Sequence, residues 1–320
     1  MGITSDRIVV ITGANSGIGR AAALRFAREG YRVVMACRDL GRSRIAQKEL
    51  IELSGNPGVD LLEVDLSSFE SIRRFCSALE AKYEKLDILI HNAGYFRHGE
   101  RRYQLSPDGI ELSFATNAFG PFLMTQLLVD MLKGSDDARV LNACTTNIRH
   151  FFDPKRKIDF DNLRGEYAVG RPYNSYKLYG DSKMALLMLT FKMADQLKGD
   201  GIKVNAVQIP AIKLSKETMR KFKSVWRIAA AVQNIFSAPP ETMADSYYHI
   251  CTSREFGAVT GRLINDRRGI MQPSYYADGF IQGVRQLSDK CVYPRYADDA
   301  GNLERVWRLA VELTGVGARA

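Results

Sequence analysis

The chain has 320 residues, of which 46% are hydrophobic and 25% charged, with a formal net charge of +9. This is ordinary globular usage, which excludes intrinsic disorder and collagen-like structure, and no apolar run approaches the ~18 residues of a membrane span. The basic excess points to an anionic partner without naming it.

The strand-like run Arg7-Ile-Val-Val-Ile11 comes at once, so no secretory signal peptide is expected and the protein is expected to be cytoplasmic. Apolar, β-rich runs end at Thr12, Arg38, Asp65 and Asn92, with helical patterns over 19–28, 43–53 and 68–83 between them. Strand–helix–strand units of about 30 residues predict right-handed crossovers and a parallel sheet. Further strands are predicted at 139–144, 203–208 and 261–264, and long apolar helices at 119–132 and 179–197. The expected fold class is α/β: a Rossmann-type doubly wound parallel sheet of about seven strands, with helices on both faces. No Pro/Gly/Ser-rich linker divides the chain, so 1–320 reads as a single domain. Two stretches fall outside the rhythm, 146–176 and 213–240, and read as a substrate-side loop and a lid.

The five cysteines are scattered and read as free thiols. The four histidines show no ligand spacing, so no metal is expected.

Thr12-Gly-Ala-Asn-Ser-Gly-Ile-Gly19 follows the first strand and opens a helix. Glycines there let the backbone turn tightly and approach a pyrophosphate, which the helix N-terminus attracts. Gly13, Asn15, Ser16, Gly17, Ile18 and Gly19 are therefore dinucleotide candidates. At the end of the second strand, Val33-Val-Met-Ala-Cys-Arg38-Asp39 places Cys37 where an NAD site carries an acid, and Arg38 follows it. A base there suits the 2′-phosphate, so NADP is the expected cofactor; the alternative is that Asp39 takes the ribose.

Tyr179 and Lys183 stand at i and i+4, one face of a helix. A phenol near pKa 10 is a poor catalyst at neutral pH, and a neighbouring ammonium and a positive nicotinamide would lower it. Tyr179 can then give a proton to a carbonyl oxygen that receives hydride, or remove it in reverse.

These motifs resemble the short-chain dehydrogenase/reductase family along nearly the whole chain. Thr12 to Gly19 matches its T-G-x-x-x-G-I-G and Tyr179-Gly-Asp-Ser-Lys183 its Y-x-x-x-K. Asp65-Leu66 matches its D-L, which implies contact with adenine. His91-Asn-Ala-Gly94 matches its N-N-A-G with His in the first place, which makes Asn92, Ala93 and Gly94 cofactor candidates. Asn117 matches its helical Asn, implying support of a water relay, and Lys183 is implied to hold the nicotinamide ribose as well. The chain is most similar to the retinol dehydrogenase branch, through 36–39, 158–166, 179–185 and 305–315.

Two departures stand out. Val140-Leu-Asn-Ala-Cys-Thr-Thr146 puts Thr145 where the family has its carbonyl-binding serine; Thr keeps the hydroxyl, and Thr146 is the other candidate. Gln208-Ile-Pro-Ala-Ile-Lys-Leu-Ser215 stands where the family favours P-G followed by Thr. Pro210 and Ile212 are expected to flank the nicotinamide amide, with Ser215 on phosphate.

The expected activity is NADP-dependent interconversion of an alcohol and a carbonyl, with catalytic Asn117, Thr145, Tyr179 and Lys183. The substrate is expected to be a small apolar molecule, with an acidic group as one option. Alternatives are dehydration or epimerisation with bound cofactor, or a non-catalytic NADP-binding protein. The resemblance implies a homo-oligomer, and nucleic-acid binding is not expected. Basic residues concentrate in 97–102, 149–157 and 213–227, all after predicted strands, and are expected to form a collar around the site mouth. Within 213–227, basic and apolar residues at helical spacing also allow a peripheral membrane contact.

Overall fold

Ile8–Thr12 (β1) is buried at every position, as a strand covered on both faces must be. It lies inside a seven-stranded sheet with Arg32–Cys37 (β2), Val59–Glu63 (β3), Ile88–His91 (β4), Arg139–Thr145 (β5), Lys203–Ile209 (β6) and Leu263–Ile264 (β7). The computed structural model describes residues 6–97, 99–164, 173–213, 234, 237–276 and 280–316. The strand order is β3-β2-β1-β4-β5-β6-β7, and all pairings are parallel. The order reverses between β1 and β4, so the carboxyl edge opens a crevice there.

Period-two alternation sorts the strand side chains into two cores. Val9, Ile11, Val33, Met35 and Ile90 pack with Ala22 and Phe26 of Gly17–Arg28 (α1) and Leu50 of Leu40–Ser54 (α2). Ile8, Val10, Val34, Leu89 and Val140 pack against the other layer, including Ile72 of Phe69–Glu80 (α3). Burying one such aliphatic side chain is worth about 1.5–3 kcal/mol.

Between β4 and β5 lie Leu112–Phe114 (α4), a π-helical turn at Ala115–Phe119, Gly120–Leu127 (α5) and Val129–Lys133 (α6). Ser175–Leu197 (α7) leads to β6, and Pro240–Thr252 (α8) joins the α1 layer through Met243 and Tyr247.

Several expectations need correction. The single helix expected over 119–132 is broken at Leu128 into α5 and α6, and a π turn that ends at Phe119 precedes it. α7 starts at Ser175 because Asn174 caps it, accepting from Lys177 N at 3.0 Å. The last strand shrinks to Leu263–Ile264. A small parallel pair, Gln272–Pro273 (β8) with Val292–Tyr293 (β9), was not foreseen. Most of the lid segment, 214–233 with 235–236, lies outside the described residues, and so do 165–172 of the loop.

The five cysteines are free, four of them buried. Among the described residues no helix is long and apolar enough to cross a membrane, and no His, Cys, Asp or Glu cluster fits a metal.

Candidate active site

The glycine turn is held to β4 from below. Thr12 Oγ1 accepts from Ala93 N at 3.0 Å, and Asn92 Nδ2 donates to the Thr12 carbonyl at 3.0 Å. The other end of the Asn92 amide accepts from the Tyr247 hydroxyl at 3.3 Å. Asn92 thus holds the turn with its side chain. Gly13 and Gly17 have positive φ, +66° and +53°. A Cβ on Gly19 would lie 2.4 Å from both Asn92 Nδ2 and the Gly13 carbonyl. The turn closes only without side chains at these places. Ser16 caps α1 without a side-chain bond, and the first turn carries no acid. Its free N–H groups and dipole favour an anion.

A cleft of about 520 Å³ runs from this turn along the carboxyl edge. Of the residues singled out in the sequence, Gly13, Asn15, Ser16, Arg38, Asp65, Leu66, Asn92, Ala93 and Gly94 line it. Gly17 instead borders a groove between α1 and α8. Ile18 is half-buried against the core, and Gly19 is buried in the turn.

At the far end of the cleft, Arg38 is exposed and its guanidinium lies 3.9 Å from Asp65. Asp39 caps α2, accepting from Arg42 N at 3.0 Å. Arg42 also lines the cleft, a second base that the sequence reading missed. Its helical spacing from the Asp39 cap was the available signal. Tyr95, Phe96 and Thr116 also line the cleft and were missed as well.

Asn117 sits in the π turn with no exposed surface. Its amide accepts from Tyr95 N at 2.6 Å and donates to the Tyr95 carbonyl at 3.0 Å and to Ser182 Oγ at 3.0 Å. Ser182 in turn donates to the Tyr179 carbonyl. Asn117 therefore ties the strand β4 loop to α7. π turns of this kind occur often at functional sites.

Tyr179 and Thr145 come together at the end of β5, close enough for the Thr145 side chain to act on the phenol. Thr145 Oγ1 also takes the Asn147 N–H at 3.3 Å, which orients it. The Tyr179 ring packs on Phe96, with centroids 4.9 Å apart. Tyr176, the other tyrosine at the mouth, is exposed and meets His150 and Asn147 instead.

Lys183 is buried and donates to the Ala143 carbonyl at 2.7 Å. Burial pushes its amine down to about 8. Burial raises the Tyr179 phenol, and the Thr145 hydrogen bond is what opposes this. The expectation that the Lys183 ammonium lowers Tyr179 is not met within the protein itself. The amine is directed at a backbone carbonyl rather than at the phenol.

Pro210 and Ile212 follow β6 and are both half-buried; Ile212 bridges to Ala238. Ser215 lies outside the described residues. The basic collar is thinner than expected. Arg149 is spent on the carbonyls of Leu287 and Asp289, and Arg156 on Asp181 at 2.6 Å. Arg97 pairs with Glu100 at 3.6 Å, and 214–227 is outside the described residues.

A family model described as short chain dehydrogenase matches residues 7–150. The chain is 31% identical over 317 residues to Retinol dehydrogenase 13 of Homo sapiens, covering 98% of this chain and 86% of the relative. It is 32% identical to Retinol dehydrogenase 12 of Mus musculus, covering 97% and 87%. Among solved structures, an uncharacterized protein from Mycobacterium Paratuberculosis shares the fold with a TM-score of 0.66 at 24% identity, covering 98% of this chain and 94% of the other. A short chain dehydrogenase from Shigella flexneri, complexed with NADP, gives 0.63 at 20% identity, covering 83% and 98%.

Proposed function

The chain belongs to the short-chain dehydrogenase family of oxidoreductases, and on that premise we propose that it interconverts an alcohol and a carbonyl with NADP as hydride carrier. The observation that carries this reading is the meeting of Tyr179 and Thr145 hydroxyls at the end of β5, beside the cleft that starts at the glycine turn.

The cleft fits a dinucleotide. Gly13 and Gly19 let the turn close on Asn92 and Ala93, and the acid-free start of α1 offers N–H donors to a pyrophosphate. Arg38, with Arg42 behind it, supports a 2′-phosphate, while Asp39, which also lines the cleft, has one oxygen engaged as the α2 cap. Asp65, Leu66, Ala93 and Gly94 would line the adenosine and ribose parts, with Pro210, Ile212 and Ser215 toward the nicotinamide. When bound, the cofactor supplies hydride at its nicotinamide ring.

The chain's own residues do the rest. Thr145 holds the carbonyl oxygen by a hydroxyl hydrogen bond. Tyr179 gives its phenolic proton to that oxygen during reduction and takes it back during oxidation. Lys183 keeps a positive charge near the site below about pH 8 and would hold the ribose hydroxyls of a bound cofactor. Asn117 fixes the Tyr95 loop against α7 and so the spacing of the site. Phe96 and Tyr176 present apolar surface at the mouth, which favours an apolar substrate. Two relatives are named retinol dehydrogenases, which makes retinol one substrate to include in a test.

A panel of carbonyls and alcohols, followed by nicotinamide absorbance with NADPH and NADH, tests the reading. Turnover with NADPH and apolar aldehydes or ketones is expected. Consumption of a substrate without net cofactor turnover would reject it.

A further inference from the structure

Two buried acceptors lie side by side behind Lys183. The pairing of β4 with β5 ends at His91 and Asn142. Leu89 and Val140 belong to one core, Ile90 and Leu141 to the other. By alternation, His91 and Asn142 therefore project on the Leu89 face, the one that carries α5 and α7.

Their hydrogen bonds fix their chemistry. Thr125 gives its hydroxyl proton to the Pro121 carbonyl at 2.9 Å, so at 2.8 Å it accepts from His91 Nε2. His91 is thus the neutral Nε2–H tautomer, with a lone pair at Nδ1. Thr190 likewise gives its proton to the Leu186 carbonyl at 2.7 Å and accepts from Asn142 Nδ2 at 2.9 Å. That leaves Asn142 Oδ1 as an acceptor. Neither Nδ1 nor Oδ1 has a partner among the described residues, although both are buried. Two acceptors cannot satisfy each other, and such groups in a native interior are met by protein or by ordered water.

Lys183 reaches the same strand end. Its amine takes the carbonyl of Ala143, the residue after Asn142, and its own carbonyl meets Cys144 Sγ at 3.5 Å on the same face. It is close enough for its charge to act on His91. The titratable groups around the pair are Cys144 from β5, Lys183 and Tyr179 from α7, and His91 itself; no carboxylate of the described residues acts on Lys183 or His91.

We propose that His91 and Asn142 bind one buried water, which donates a proton to each and accepts a hydrogen bond from the Lys183 amine. His91 is then a positioning residue that helps to keep Lys183 protonated. This rests on the role given to Lys183 above only where activity is read. The water itself is independent of it.

Nitrogen NMR of the four histidines in the wild-type protein is the first test. His91 is expected as the Nε2–H tautomer throughout neutral pH, with Nδ1 shifted as a hydrogen-bonded acceptor. An Nδ1–H tautomer, or the shift of a free lone pair, overturns the proposal even if no substrate is known. The second test is His91→Leu, read by the pH profile of kcat and by NADPH affinity. Loss of the acceptor is expected to move the basic limb down by about one pH unit, about tenfold in rate on that limb. His91→Asn, which brings back an acceptor, restores it, and NADPH affinity does not change. A folded His91→Leu with an unmoved limb overturns the positioning role. If His91→Leu does not fold, the wild-type spectrum decides. Absence of any carbonyl reduction by wild type rejects the proposed function and leaves the spectrum to judge the water.

Discussion

Asn117 holds the backbone of Tyr95 from both sides, accepting its N–H at 2.6 Å and donating to its carbonyl at 3.0 Å. The same amide reaches Ser182 on α7. The loop that floors the cleft and the helix that carries Tyr179 are therefore joined through one buried side chain. Asn117→Leu leaves the Tyr95 N–H and carbonyl unpaired. A loss of about 2–4 kcal/mol is expected from urea unfolding, along with a fall in kcat. An unchanged midpoint would reject this account of Asn117.

Gly19→Ala tests the closure of the glycine turn. Its Cβ would meet Asn92 Nδ2 and the Gly13 carbonyl at 2.4 Å, and the backbone cannot yield as a flexible side chain would. About 1–3 kcal/mol of destabilisation is expected, with NADPH affinity reduced further than stability alone explains. Calorimetric titration with NADPH, beside thermal unfolding, separates the two.

Arg38→Ala tests cofactor choice. The guanidinium is exposed beside Asp65 at the adenosine end. Loss of a charge-assisted contact worth about 1.5–3 kcal/mol is expected to raise the KM for NADPH tenfold or more and to leave that for NADH nearly unchanged. An equal effect on both cofactors would remove Arg38 from the 2′-phosphate.

Lys183 gives a signed prediction for stability. Its folded pKa is lowered to about 8 from 10.5 by burial. Below about pH 8 the amine is charged in both states, and the folded state bears the cost of a buried charge. Between about 8 and 10.5 the unfolded chain binds more protons, so this residue's contribution improves as pH rises. Lys183→Met is therefore expected to be about 2 kcal/mol more stable than wild type at neutral pH, after loss of the Ala143 hydrogen bond. The difference narrows as the pH approaches 10.5. Urea unfolding at both ends of that window checks it; a gap that widens with pH contradicts the burial of a charged amine.

Much of this was legible in the chain. The strands announced themselves because residues such as Val9 and Val10 must be apolar on both faces, and Tyr179 with Lys183 because i and i+4 share a helix face. The glycine turn was readable because no other residue fits Gly13 or Gly19. Other features depend on neighbours remote in sequence. The π turn that positions Asn117 obeys no hydrophobic period. Arg42 gains meaning only when α2 is seen to start at the Asp39 cap, beside the cleft. Within the collar expected at 149–157, Arg156 pairs with Asp181 and Arg149 is held by the carbonyls of Leu287 and Asp289, partners that only folding brings near. The effect of Lys183 on Tyr179 was misjudged because helical spacing fixes a shared face but not where a long side chain ends.

The central claim is that Tyr179, oriented by Thr145, moves the proton. Tyr179→Phe keeps the ring that packs on Phe96 and removes only the hydroxyl. Its NADPH affinity by calorimetry and its rate of carbonyl-dependent NADPH oxidation, measured on the same sample, test the claim most directly. The account expects affinity within about twofold of wild type and a rate reduced by at least the 10²–10⁴ typical of a lost general acid. NADPH oxidation at the wild-type rate would contradict it.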